Sequence, residues 1–327
     1  MLFRSARLVG VALRGMDLRG ADLSGAVFVA GEGGAPAPDF GDVDLTGAVL
    51  TDCALSGASF TGARLDSADL SRSDLRGARL SGCHCVETRL HDVDLSGADL
   101  AGVDLRAASL GGARIDGADL RGARLFKQVL DGADLRAARL AGADLTRCMF
   151  DDSDARGVDF RGAVLEDASF VGARLSDANL SGVAMKRASF RGASLERAKL
   201  VGAQAKQVDL ADAKLDEADL RGLSGVEASL DGASLRKSLL DGADLTGARL
   251  RRADASLASF RDATLRYALL SHAQLSQADL SDADLTQANL HRAARDGWKT
   301  RGTTMRDVSE TDPALARAED FDRKAGN

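Results

Sequence analysis

The chain is poor in the residues that fill an ordinary core. Aromatic side chains make up 4% of it, with one Trp and one Tyr among 327 residues. That is too few for a conventional globular interior of this length, and it points to an interior filled by Leu and Ala. Proline is limited to three residues and cysteine to four. The first fifteen residues, MLFRSARLVGVALRG, hold no apolar run long enough for a secretory leader, and no stretch reaches membrane-crossing length. The expectation is a cytoplasmic protein that meets no membrane, its cysteines acting as small apolar fillers. An excess of one charge is also lacking. Residues 43–292 carry net −5, which is not basic enough for direct nucleic-acid binding.

What the chain has instead is a beat of five. From Ala98 to Leu145 it reads ADLAG VDLRA ASLGG ARIDG ADLRG ARLFK QVLDG ADLRA ARLAG ADL. Leu or Ile stands at every fifth position, and two positions earlier there is almost always Ala or Val. Neither the 3.6-residue period of a helix nor the 2.0-residue period of a flat strand gives that spacing. With each apolar centre taken as position i, centres fall on every multiple of five from Leu45 to Leu290, fifty units without an insertion. The i−2 site is mostly Ala, while i−1, i+1 and i+2 are mostly Asp, Arg, Ser, Thr and Gly. Glycine follows the beat at i+2, where a turn needs it, and forms no phosphate loop.

This pattern, A(D/N)LXX, resembles the pentapeptide-repeat family over nearly nine-tenths of the chain. The resemblance implies an all-β fold, a right-handed quadrilateral β-helix with one pentad per wall and four per coil. Positions i and i−2 would point inward and the other three would face water. Fifty pentads would make about 12.5 coils, a solenoid about 60 Å long at a strand spacing of ~4.8 Å. One pentad cannot hold itself, so stability would come from the stack.

The centres carry a second pattern. Numbered by i/5, Phe60, Phe150, Phe160, Phe170, Phe190 and Phe260 fall on even units. The small or unusual centres Cys85, Ile115, Ala155, Met185, Ala205, Gly225 and Ala255 fall on odd ones. Even units are one pair of opposite walls, so bulky rings are expected from that pair only, with smaller side chains on the other pair making room. Around Gly222–Val226 the apolar centre is lost, and a bulge or dent is expected.

The expected divisions are residues 1–28, pentads in an earlier phase; 29–39, a loop; 40–292, the continuous solenoid; and 293–327, a capping tail. The loop contains Glu32, Pro36, Pro38 and Asp39, offered as partner contacts. In the tail Thr311 or Asp312 can cap a short helix, with Pro313 in its first turn and Ala314–Phe321 continuing it. A solenoid end is an exposed edge that needs a cover, and Trp298, Leu315 and Phe321 are the candidate cap. Such an end is also where two copies would pair.

Candidate chemistry is thin. Cys83, His84, Cys85 and His91 have the donor types of a zinc site, but the beat turns both cysteines inward and both histidines outward. No catalytic, metal or cofactor residues are assigned, and no enzyme is expected. The resemblance brings a second reading, because members of the family inhibit or protect DNA gyrase by imitating an acidic duplex. Duplex DNA carries one charge per ~1.7 Å of axis. Here the four walls sum to −1, −1, −2 and −1. The local acidic spots are Asp151 with Asp152 and Glu166 with Asp167, interspersed with basic ones such as Arg249, Arg251 and Arg252. Three functional readings therefore stand. The first is a protein-binding scaffold, the second a DNA-mimicking gyrase binder, and the third an accessory or delivered protein of a bacterial secretion system.

Overall fold

Each pentad closes a turn and hands the chain to the next wall. In the unit centred on Leu45, Ala48 N donates back to Leu45 O across Thr46 and Gly47 (2.9 Å), and Gly47 takes φ +65°. That left-handed conformation explains glycine at i+2, although Asp, Arg and Gln also adopt it at that site elsewhere. Coils are joined by parallel ladder bonds. Leu45 N donates to Arg64 O (2.8 Å), and Arg64 N to Val43 O (2.9 Å).

The computed structural model describes residues 2–9, 11, 13–29 and 37–325. It contains two compact units, Met1–Ala173 and Arg174–Asn327. Within each, residue i−1 bridges to its counterpart twenty residues on, as in Asp44↔Arg64 and Ser194↔Lys214. Twenty residues are four pentads, so the fold is the right-handed quadrilateral β-helix. Two short strands stand out in the first unit, β1 (Arg7–Val9) and β2 (Val27–Val29), paired in parallel. One helix, α1 (Pro313–Ala325), follows the repeats.

The core follows the beat. Ala98, Leu100, Ala198 and Leu200 have no exposed surface. Phe40 stacks on Phe60 at 4.7 Å and Phe150 on Phe170 at 5.0 Å, while Phe160 meets Phe170 edge-on at 5.8 Å from the facing wall. Rings from opposite walls thus share the interior. Phe28 breaks this rule. Its neighbour Val27 bridges Ala54, which puts Phe28 on the wall of Leu55, next to that of Phe40, with the rings 5.1 Å apart. Asp22 pairs with Val49, a step of 27 in place of 20, so the segment after Phe28 adds seven residues and shifts the phase.

The dent expected near Gly225 does not form. Ser224 keeps its bridges to Gln204 and Asp244. A methyl group on Gly225 would lie 3.2 Å from Leu223 Cδ2 and 3.1 Å from Leu245 Cδ2. Leu223, at the i−2 site, fills the space that the missing centre leaves. The ladder also runs one coil beyond residue 292. Gln274↔Ala294, Asp279↔Lys299, Asp284↔Thr304 and Asn289↔Ser309 are all formed. Backbone bonding carries this coil even though its centres, Arg295, Thr300, Met305 and Glu310, are not core residues.

Candidate functional site

The walls present aspartates whose charge is met locally. At i−1, Asp Oδ1 accepts the backbone N–H two residues on, as Asp119 does from Arg121 (3.2 Å) and Asp44 from Thr46 (3.0 Å). Where Arg follows at i+1, its guanidinium also grips the same carboxylate through two nitrogens. Asp74–Arg76, Asp104–Arg106, Asp119–Arg121, Asp134–Arg136, Asp159–Arg161 and Asp219–Arg221 share this arrangement, each with one N–O distance of 2.5–2.8 Å. Arg136 holds the Asp134 carboxyl down to a pKa of about 2.

The two acidic spots lie at different turns. Asp151 and Asp152 lie at the turn after Phe150, whereas Glu166 and Asp167 lie at the turn after Leu165. The Asp151 carboxylate is engaged, accepting from Val171 N (2.9 Å) and Ser169 Oγ. Asp167 faces Arg147 at 3.6 Å. Of the loop candidates, Glu32 and Pro36 lie outside the described residues. Pro38 and Asp39 belong to the coil and not to a projecting loop. Pro38 O accepts from Ser59 N (2.9 Å), and Asp39 bridges Ser59. A proline is tolerated there because that position only has to accept.

Trp298 sits inside the extra coil at an i−2 position, half-buried, with the Arg295 guanidinium 5.2 Å from its ring. Leu315 is exposed, and the side chain of Phe321 lies outside what is described. Helix α1 is capped by Asp312, whose Oδ1 accepts from Ala314 N (2.7 Å) and Leu315 N (3.2 Å).

Cys83 and Cys85 are buried and their sulfurs lie 2.9 Å apart, while His84 and His91 are exposed. The hydrogen-bonding contact with Cys83, and after it burial, push the Cys85 thiol far up, and burial raises Cys53 to about 11 and Cys148 to about 12. Burial thus disfavours the thiolate at Cys53, Cys85 and Cys148. Beside the pair the ladder is open. The bridge between His84 and Asp104 is missing although Arg64↔His84 and Asp104↔Arg124 are made. A cleft of about 690 Å³ lies there, lined by Val86, Arg106, Phe126 and both thiols.

A second opening was not foreseen. Gln128 occupies an i−2 site and is buried. Its Oε1 accepts Leu110 N (3.0 Å), the donor that would otherwise reach Val129 O, and its Nε2 donates to Ala108 O (2.9 Å). The side-chain amide thus replaces a stretch of ladder, and the bridges Ser109↔Val129 and Arg114↔Asp134 are absent. A cleft of about 410 Å³ separates the two coils. The signal was visible, since Gln128 is the one polar residue at an i−2 site in the stretch quoted above.

The other unforeseen constellation joins α1 to a corner of the second unit. His272 Nε2 lies 3.3 Å from Glu319 Oε1, and His291 Nε2 lies 3.5 Å from Glu319 Oε2. Arg292 donates to Asp320 Oδ1 (2.6 Å) and to Ala316 O (3.0 Å). Asp312 N donates to His291 Nδ1 (3.2 Å). The histidines carry the mark of one corner, nineteen positions apart, but Glu319 lies outside the repeat, and no register could place it.

A family model described as pentapeptide repeats, in eight copies, matches residues 3–29, 44–82, 88–125, 129–167 and a continuous overlapping series from 168 to 293. Curated proteins give no match. Solved structures that resemble the chain include HetL, a pentapeptide repeat protein involved in heterocyst differentiation regulation in the cyanobacterium Nostoc. It is 24% identical over 94% of this chain and 88% of its own, with a TM-score of 0.29. A pentapeptide repeat protein of the Arabidopsis thaliana thylakoid lumen is 37% identical over 33% of this chain and 67% of its own (TM-score 0.26). QnrB1, a plasmid-mediated fluoroquinolone resistance protein, is 20% identical over 70% of this chain and 96% of its own (TM-score 0.26). With its beat, its twenty-residue coil and its matched repeats, the chain belongs to the pentapeptide-repeat family.

Proposed function

We propose that the protein is a non-catalytic scaffold that binds another protein along its walls or corners, in a reducing cytoplasm. One observation carries this reading. The interior positions are spent on packing, while the outward positions repeat as a mixed-charge surface on which a recurring set of aspartates is neutralised in place by arginines. Four cysteines without a disulfide accord with a reducing compartment.

The same pairs weaken the gyrase-binding alternative. A duplex mimic needs uncompensated negative charge at DNA-like density, whereas here guanidinium groups lie 2.5–2.8 Å from the acids. A DNA-supercoiling assay with purified gyrase, with and without a quinolone, separates the two. The scaffold reading expects no change in supercoiling and no drug protection. Inhibition at micromolar protein would replace it with the topoisomerase reading. Co-purification with secretion-system components would favour the third reading instead.

A further inference from the structure

We propose that the corner of the second unit running from Arg191 to Arg292 binds an acidic segment of a partner protein, and that α1 is an internal occupant of its last turns. This rests on the scaffold reading and names the chemistry of its partner. The corner is the turn that follows Phe190, Leu210, Leu230, Leu250, Leu270 and Leu290, so its side chains form one column, a coil apart.

At its C-terminal end the column already holds carboxylates. His272 and His291 approach the two oxygens of Glu319, and Arg292 takes Asp320. Beyond the helix the column continues as an open groove of about 530 Å³, lined by Arg191, Arg249, Arg251, Arg252 and His272 and by the carboxylates of Asp212, Asp231 and Glu319. Arg191 is occupied by Asp209 and Asp212, and Arg249 by Asp231. Arg251 and Arg252 are exposed, and neither guanidinium has an ion-pair partner among the described residues. Two unmatched guanidiniums next to a carboxylate clamp suit a chain that continues the acidic face of α1.

His272, His291 and Glu319 also have the donor types of a metal site, with ligand atoms within 4.8 Å of one another. The hydrogen bond from Asp312 N–H occupies His291 Nδ1 and leaves the ring proton on Nε2, the atom a metal would need. Arg292 lies 3.4 Å from the same carboxylate. The trio is thus a carboxylate clamp.

The test uses the full chain and a fluorescein-labelled helical peptide of about fourteen residues bearing glutamates at i, i+4 spacing, followed by fluorescence anisotropy. Binding is expected to be salt-sensitive. The double substitution Arg251→Glu/Arg252→Glu should weaken it about tenfold or more, with circular dichroism unchanged. Glu319→Gln/Asp320→Asn should tighten it, because the clamp is freed. Equal affinity for wild type and the double Arg variant, or no binding by wild type, overturns the proposal. So does tighter binding of a DNA duplex of matched charge. None of these outcomes bears on the supercoiling result, so the corner can fail while the scaffold reading stands.

Discussion

An aspartate just before a centre, with an arginine two residues on, meets two demands at once, capping its own turn and balancing that arginine. Asp134 shows the consequence. The hydrogen bonds from Arg136 hold its pKa at about 2 when folded, against roughly 3.9 in an unfolded chain. Its contribution is therefore complete above pH 4 and is lost as pH falls from 4 towards 2. The melting-temperature difference between wild type and Asp134→Asn should shrink across that window. A difference that stays constant down to pH 2 would contradict the assignment. Gln128 is the opposite kind of residue, polar where the beat asks for alanine. Gln128→Leu keeps the bulk that holds the coils apart but strands Leu110 N and Ala108 O. Unmade buried hydrogen bonds cost about 1–3 kcal/mol each, so chemical denaturation should show a loss of at least that order.

At the scale of the element, the inward pair i−2 and i behaves as one volume. Leu223 with Gly225 inverts the usual small–large order and stays buried. Leu223→Ala alone should cost about 2–5 kcal/mol, and Gly225→Leu alone about 1–3 kcal/mol through overpacking. Together they restore the common order, and the double variant should be more stable than either single one. Additive losses in urea unfolding would refute the shared volume. The five-residue beat and a helix start at Thr311 or Asp312 were legible from apolar spacing and helix-start chemistry, which are local, while the four-pentad coil and its inward positions came from the family resemblance. What sequence could not show depended on geometry between distant residues. The polar Gln128 stood out at its i−2 site but its reach across a coil did not, Glu319 reaches forty-seven positions back to His272, and the coil from 293 to 309 is carried by backbone bonds that leave no apolar beat.

For the molecule as a whole, the ladder bonds are shared among many coils, so their gaps matter more than their average. In hydrogen–deuterium exchange the amides of Gly112, Ile115, Gly117 and Asp134, which donate no hydrogen bond among the described residues, should exchange ahead of Leu95, Gly97 and Leu120, which do. Uniform protection along residues 90–140 would mean that the coils close in solution. The net charge of −6 is spread along mixed-charge walls, and the two clefts and the corner beside α1 are local departures from them.

The twenty-residue step also makes the chain quantised in length. Removing residues 191–210 would take out one storey and return every later side chain to its own column. Removing only five would keep Leu and Ala inside but turn everything downstream by a quarter, carrying Arg251 and Arg252 away from Arg191. Inheritance of such a gene can therefore lengthen or shorten the protein by whole storeys while preserving its faces. Changes by single pentads keep the fold but reshuffle which residues meet on its surface.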